Sequence, residues 1–205
     1  MDQLLDAAFQ CVIEMCRIHN IDESHAMKHS MDVFHHTLHS YQFHVERFPF
    51  LAEQRNVLFV AAIVHDMCDS KYVDESIGLR CIYDRLQTFL TPEEFNHMAL
   101  ILTTMSYSTV KENGYPDLKE WQLGYHIVRE ADLLSAYDFD RCIMYGMFRG
   151  NFTYSEALVN ASNIYHYRVL RYIEDRLFIT EYGLSTAHEL HSKALLNQVP
   201  RVLNI

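Results

Sequence analysis

The sequence is short of the residues that punctuate a chain. Six glycines and four prolines in 205 residues leave few sharp turns, which argues against many short strands and predicts long helices. No apolar stretch reaches the roughly 20 residues a membrane-spanning helix needs, so no membrane association is expected. The opening Met1-Asp2-Gln3-Leu4-Leu5-Asp6 has neither the basic start nor the apolar core of a secretory leader, and none is expected. Five cysteines, at positions 11, 16, 68, 81 and 142, are odd in number and form no C-x-x-C pair. They read as reduced thiols of a cytoplasmic or otherwise intracellular protein, packing as small hydrophobes. Positive charge is scarce too. Seventeen Lys and Arg against 27 Asp and Glu give a formal charge of −10, which opposes binding to nucleic-acid polymers and leaves room for a nucleotide in a local basic pocket.

What is present is apolar: 49% of the residues are hydrophobic, enough for a sizeable core in one domain. Helical periodicity falls at 2–18, 25–46, 53–67, 75–90, 92–105, 119–136, 138–148, 153–177 and 184–198. The best-marked start is Thr91-Pro92-Glu93-Glu94, a threonine cap with proline at the first helical position and an acidic residue at the third. Asn113-Gly114-Tyr115-Pro116-Asp117 is the clearest loop. The expected fold class is therefore all-α, a single-domain bundle of about eight to nine helices spanning 1–205. Its core would lie at about 20–140, with helices at about 150–198 packed on it.

Over 25–46, Met27, Met31, Phe34, Leu38, Tyr41 and Val45 recur at helical spacing and predict one apolar face. His25, His29, Asp32, His36 and His39 fall on nearly the opposite face. Periodicity alone reads that stripe as solvated, and His36 and His39 are expected there.

His65-Asp66 closes the apolar run Val57-Leu58-Phe59-Val60-Ala61-Ala62-Ile63-Val64 and opens a polar loop. An imidazole and a carboxylate in succession at a buried helix end offer a metal ion one nitrogen and one oxygen. His25 or His29 upstream and Asp132 downstream can complete the set. Asp132 has the apolar neighbours Ala131, Leu133, Leu134 and Ala136, and a buried carboxylate needs a partner. Two imidazoles and two carboxylates leave open positions on an octahedral ion, a mixture suited to Mn²⁺, Mg²⁺, Fe²⁺, Co²⁺ or Ni²⁺, with Zn²⁺ also compatible.

The order His29 … His65-Asp66 … Asp132 resembles the H…HD…D signature of the HD-domain metal-dependent phosphohydrolases. Three local stretches carry the resemblance. Residues 24–33 resemble the helix of the first ligand. Residues 61–72, Ala61-Ala62-Ile63-Val64-His65-Asp66-Met67-Cys68-Asp69-Ser70-Lys71-Tyr72, resemble the family's "A-A-h-h-H-D-h-x-D-x-K-[FY]" form. Residues 128–134 resemble the segment of the last aspartate. Met105-Ser106-Tyr107-Ser108 also resembles a short stretch between them. Glu130 and Ser135 depart from residues common in relatives, but neither is an expected ligand.

The resemblance implies an all-α HD domain with one divalent metal ion held by His29, His65, Asp66 and Asp132. It implies hydrolysis of a phosphate bond in a small substrate, a nucleotide above all. Asp69 is a candidate for proton transfer or a plain loop cap. Lys71 is a candidate for meeting phosphate charge, and His25 for hydrogen-bonding phosphate or substrate. Two other classes stay open: a non-catalytic nucleotide-binding module, and a di-iron oxygenase for which His97 would be the one further ligand. Arg129 and Glu130 read either as orienting groups or as a surface ion pair, and His188 and His191 as surface. Tyr165-His166-Tyr167 reads as pocket wall or core. Lys28, Arg80, Lys111, Arg168 and Arg171 are equal candidates for a basic pocket wall. A homo-oligomer is compatible with all of this.

Overall fold

Val57 to Val64 are all buried, and four other helices pack around them. A computed structural model describes the backbone of residues 1–202 and the side chains of residues 1–196. Its helices are α1 (Asp2–His19), α2 (Met27–Val45), α3 (Leu51–Val64), α4 (Glu75–Leu86), α5 (Pro92–Thr104), α6 (Tyr107–Asn113), α7 (Gln122–Ser135), α8 (Phe139–Phe148), α9 (Tyr154–Tyr167) and α10 (Glu181–Val202). There is no strand among the described residues, and the fold is all-α, as expected. Residues 203–205 of the predicted domain lie outside the described residues. None of the described helices is long and apolar enough to cross a membrane.

A helix apolar on every side must be covered on every side, and α3 is enclosed by α1, α2, α5 and α7. Short polar residues start the surrounding helices. Thr91 and Glu94 form a reciprocal cap on α5, Thr153 and Glu156 another on α9, while Asp74 and Asp138 accept backbone N–H groups at the starts of α4 and α8.

Two buried clusters result. The first joins α1 to α5 with Tyr125, Ile127, Val128 and Ala131 of α7. The second joins Leu133 and Leu134 of the same helix to α8, α9 and α10. Asp132 falls between them, where α7 passes from one cluster to the other.

Three expectations need correction. Tyr107–Asn113 is helical, capped by Ser106, whose hydroxyl accepts from the Thr109 N–H. Over 153–177 the helix ends at Tyr167, and Arg168 takes a non-helical conformation. Of the apolar face predicted for α2, Tyr41 is buried and Met27, Phe34, Leu38 and Val45 pack half-buried on the core, but Met31 is 43% exposed, and the fully buried residues include His29, Ser30, Val33, Thr37, Ser40 and His44. The helix presents small side chains to α3 and α7, its principal neighbours, and this carries the nominally solvated His29 inward.

Candidate metal centre

The buried α3 ends in a 3₁₀ turn, His65–Cys68, that sets two donors side by side. The turn is held from behind by α4. A Cβ on Gly78 would lie 2.6 Å from the Met67 carbonyl oxygen and 2.7 Å from Cys68 Cα, so only glycine permits the approach. The first turn of α2 brings His29 to the same point, and α7 brings Asp132.

Four atoms converge. His29 Nε2 lies 2.9 Å from His65 Nε2, 3.2 Å from Asp66 Oδ2 and 3.3 Å from Asp132 Oδ1. His65 Nε2 lies 3.2 Å from Asp66 Oδ2 and 3.8 Å from Asp132 Oδ1. Neighbouring ligands of an octahedral ion with bonds of about 2.1 Å stand about 3 Å apart, so these spacings suit a shared cation. The Asp132 side chain is 25% exposed, the other three 12% or less, leaving the set open on one side.

Hydrogen bonding fixes the tautomers. His65 Nδ1 lies 2.9 Å from the Ala62 carbonyl, which can only accept, so Nδ1 carries the proton. Ser135 Oγ donates to the Asp132 carbonyl at 2.8 Å and stands 3.3 Å from His29 Nδ1. With its proton spent, the hydroxyl accepts from His29. Ser135 thus orients the His29 ring. In the neutral rings both Nε2 lone pairs point at each other and at two carboxylates, and Asp66 Oδ2 is buried without a hydrogen-bond donor. Lone pairs so crowded require a proton or a metal ion among them, and ligating histidines are commonly held through the other ring nitrogen in this way. The donor set fits a divalent cation.

The charges say the same. Burial is the largest single influence on His65 and lowers its pKa, but Asp66, Asp132 and the Ala62 carbonyl outweigh it and hold the imidazole at about 9. Burial raises Asp66, and His65 with its neighbours more than reverses this, to well below the usual carboxylate range. Asp132 is likewise held low, burial being outweighed by His29 and His65.

Beside the four atoms opens a cavity of about 240 Å³. His25, Asp69 and Lys71 line it, as do two arginines. Asp69 Oδ2 accepts from Lys71 Nζ at 2.8 Å, and its Oδ1 from the Lys71 N–H at 2.9 Å; the loop-cap contact and the position beside the centre coexist. Of the five cations the sequence left equal, Arg168 lines the cavity, its guanidinium 4.3 Å from the Tyr107 ring centre. Lys28, Arg80 and Arg171 pair with Asp32, Asp84 and Asp175 on their own helices or turns, and Lys111 lies over Tyr107.

Arg141 was missed. It stands 3.8 Å from Asp66 Oδ2 and 4.0 Å from Asp132 Oδ1, anchored by a hydrogen bond to the Ser24 carbonyl. Nothing local marks it, since only folding brings the start of α8 beside the Ser24 loop that precedes α2.

Other candidates fall elsewhere. His97 stacks on Trp121 at 4.2 Å, and it is not among the cavity residues. Tyr165 is core and Tyr167 is 72% exposed, and the wall they were candidates for is made by Tyr107, Tyr145 and Tyr172. His188 is exposed, while His191 is half-buried against Tyr137. Arg129 and Glu130 are a buried pair rather than a surface one: Glu130 accepts from the N–H groups of Ile179 and Thr180, tying the segment before α10 to α7.

No protein-family model matches the chain, and no curated protein matches it in sequence. It is similar to the crystal structure of a structural-genomics target from Lactobacillus plantarum, with 16% identity over 99% of both chains and a TM-score of 0.67. At that identity the likeness shows the fold, shared along the whole length, and nothing of the chemistry.

Proposed function

We propose that this chain is a metal-dependent phosphohydrolase of the HD type, cleaving a phosphate bond in a nucleotide or a similarly small phosphate ester. The observation that carries the reading is the cluster of His29, His65 and Asp66 within 2.9–3.2 Å of one another, with Asp132 3.3 and 3.8 Å from the two imidazoles, at the edge of a cavity that also holds Lys71, Arg141 and Arg168. The resemblance of residues 24–33, 61–72 and 128–134 to the family's ligand segments supports it independently.

A divalent cation held by the four residues would act as a Lewis acid on a phosphoryl oxygen and make water more acidic. The protein's own groups do the rest. Lys71 and Arg141 offset the negative charge of the phosphate beside the ligands. Arg168 provides a cation farther along the wall, in an aromatic frame of Tyr107 and Tyr172 that suits a planar base. Hydrolysis forms a P–O bond to the oxygen of water and breaks the P–O bond to the leaving group. The proton of the water passes to an Asp69 carboxylate oxygen once Lys71 turns toward phosphate, and the leaving oxygen takes a proton from solvent. His25 offers a neutral imidazole to the substrate side, its pKa lowered to about 4 chiefly by burial.

The test is a panel of nucleoside mono-, di- and triphosphates and simple phosphomonoesters, assayed with Mn²⁺, Mg²⁺, Co²⁺ and Ni²⁺, with phosphate and pyrophosphate read separately. At least one substrate should turn over, and Asp66→Ala should abolish that turnover while the helical circular dichroism persists. Full activity in a metal-stripped preparation would refute the reading.

A further inference from the structure

The sequence predicts one ion, but the cavity contains a second set of donors. One ring nitrogen of His25 and one carboxylate oxygen from each of Asp66 and Asp69 lie within 4.8 Å of one another. Ligands facing each other across an ion are separated by twice the bond length, about 4.2–4.8 Å for oxygen and nitrogen donors, so the three fit around one cation.

The hydrogen bonds of His25 point independently to a ligand. Its Nδ1 lies 2.6 Å from Ser24 Oγ and 3.0 Å from Tyr72 Oη. Both hydroxyls have already used their single proton on Asp22: Ser24 donates to Oδ1 at 2.5 Å and Tyr72 to Oδ2 at 2.6 Å. They can therefore only accept from the ring. The ring proton is on Nδ1, and Nε2 carries a lone pair with no hydrogen-bond donor among the described residues. His25 is 8% exposed and lines the cavity. A buried imidazole fixed by a carboxylate through two hydroxyls, with its bare nitrogen left over, is arranged as metal-binding histidines are.

We infer that His25, Asp66 and Asp69 form a second divalent-cation site sharing Asp66 with the first, so that the cavity is built for two ions. The inference rests on the first site as proposed above, because the Asp66 carboxylate is common to both. Two ions joined by one carboxylate would let a phosphoryl group bridge them, as two-metal hydrolases do. With one Asp69 oxygen given to the cation, the other would remain as the acceptor for the proton of water.

Lys71 competes. Its ammonium sits 2.8 Å from Asp69 Oδ2 on a side chain 49% exposed, and a second cation must displace it. The second site is accordingly the weaker of the two, and its occupation frees Lys71 toward phosphate.

The experiment uses the full-length chain, stripped of metal and titrated with Mn²⁺. Bound ions are counted by equilibrium dialysis with elemental analysis, and ion pairing is read from the electron paramagnetic resonance spectrum. Two ions per chain are expected, the second about ten-fold or more weaker, with a spin-coupled spectrum at saturation. His25→Ala and Asp69→Asn should each bind one ion and give the uncoupled six-line signal, and Lys71→Gln should tighten the second step. Should His25→Ala not fold, Asp69→Asn at the loop carries the same test. A single ion at saturation in both the wild type and Lys71→Gln overturns this inference alone, as would two ions retained in both ligand variants. No bound ion at all in the wild type removes the first site and with it the proposed function.

Discussion

Arg129 and Glu130 are sequence neighbours on α7 whose side chains pair at 3.3 Å with each only 2% exposed. The Arg129 guanidinium also donates to the Leu177 carbonyl and lies 4.8 Å from the Tyr115 ring centre. Removing one partner of a buried pair strands the other charge, at a cost of about 3–5 kcal/mol. Glu130→Ala should therefore lower the unfolding free energy by that order in urea titrations, and amide exchange at Ile179 and Thr180 should rise. A loss under about 1 kcal/mol would show that Arg129 is satisfied without it.

Gly78 predicts a second, purely steric effect. Gly78→Ala places a methyl group against backbone atoms of Met67 and Cys68, which cannot rotate away as a side chain can. Overpacking of this kind costs about 1–3 kcal/mol. Because the displaced turn carries His65 and Asp66, Mn²⁺ affinity should weaken together with thermal stability. Unchanged affinity in a destabilised variant would separate the packing from the ligand geometry.

Metal binding should depend on pH through His65. Its pKa of about 9 in the metal-free fold exceeds the ordinary 6.5, so the protonated ring stabilises that fold. This contribution is complete below about 6.5 and is lost as pH rises through about 9. A cation must replace that proton, so the apparent Kd should fall about ten-fold per pH unit between roughly pH 6.5 and 8. Calorimetry in buffers of differing ionisation heat should register about one proton released. A flat Kd across that range would contradict the assignment.

Cys68, two residues beyond Asp66, should be chemically quiet. Burial is the main cause of a thiol pKa pushed up to about 12, which leaves roughly one thiolate in 10⁴ to 10⁵ near pH 7.5. Iodoacetamide under native conditions should leave the Cys68 peptide unmodified by mass spectrometry and label it after unfolding. Rapid native labelling would mean that the 3₁₀ turn opens.

The fold class was legible because apolar periodicity, capping residues and the scarcity of glycine and proline agree over most of the chain. The reciprocal cap of Thr91 and Glu94 occurs as its residues predict. Local pattern failed where distant contacts decide. No glycine or proline marks the end of α9 at Tyr167, and Arg168 leaves the helix to lie over Tyr107. The polar stripe of α2 reads as solvated from its own sequence; His39 is indeed exposed, but packing of the helix buries His29. His65, Asp66 and Asp132 could be named as candidate donors from their chemistry and apolar neighbours, whereas His29 is separated from His25 only by the resemblance of residues 24–33 to the family's first ligand helix. Arg141, the orienting role of Ser135 and the Asp22–Tyr72–His25 chain could not, because each exists only once α2, α4, α7 and α8 are packed.

The most direct measurement is an anomalous-scattering map from crystals soaked in Mn²⁺, collected where manganese scatters strongly. A peak is expected within about 2.3 Å of His29 Nε2, His65 Nε2, Asp66 Oδ2 and Asp132 Oδ1, absent from Asp66→Ala crystals treated alike. A wild-type map without density at that point, at saturating Mn²⁺, would contradict the proposed centre.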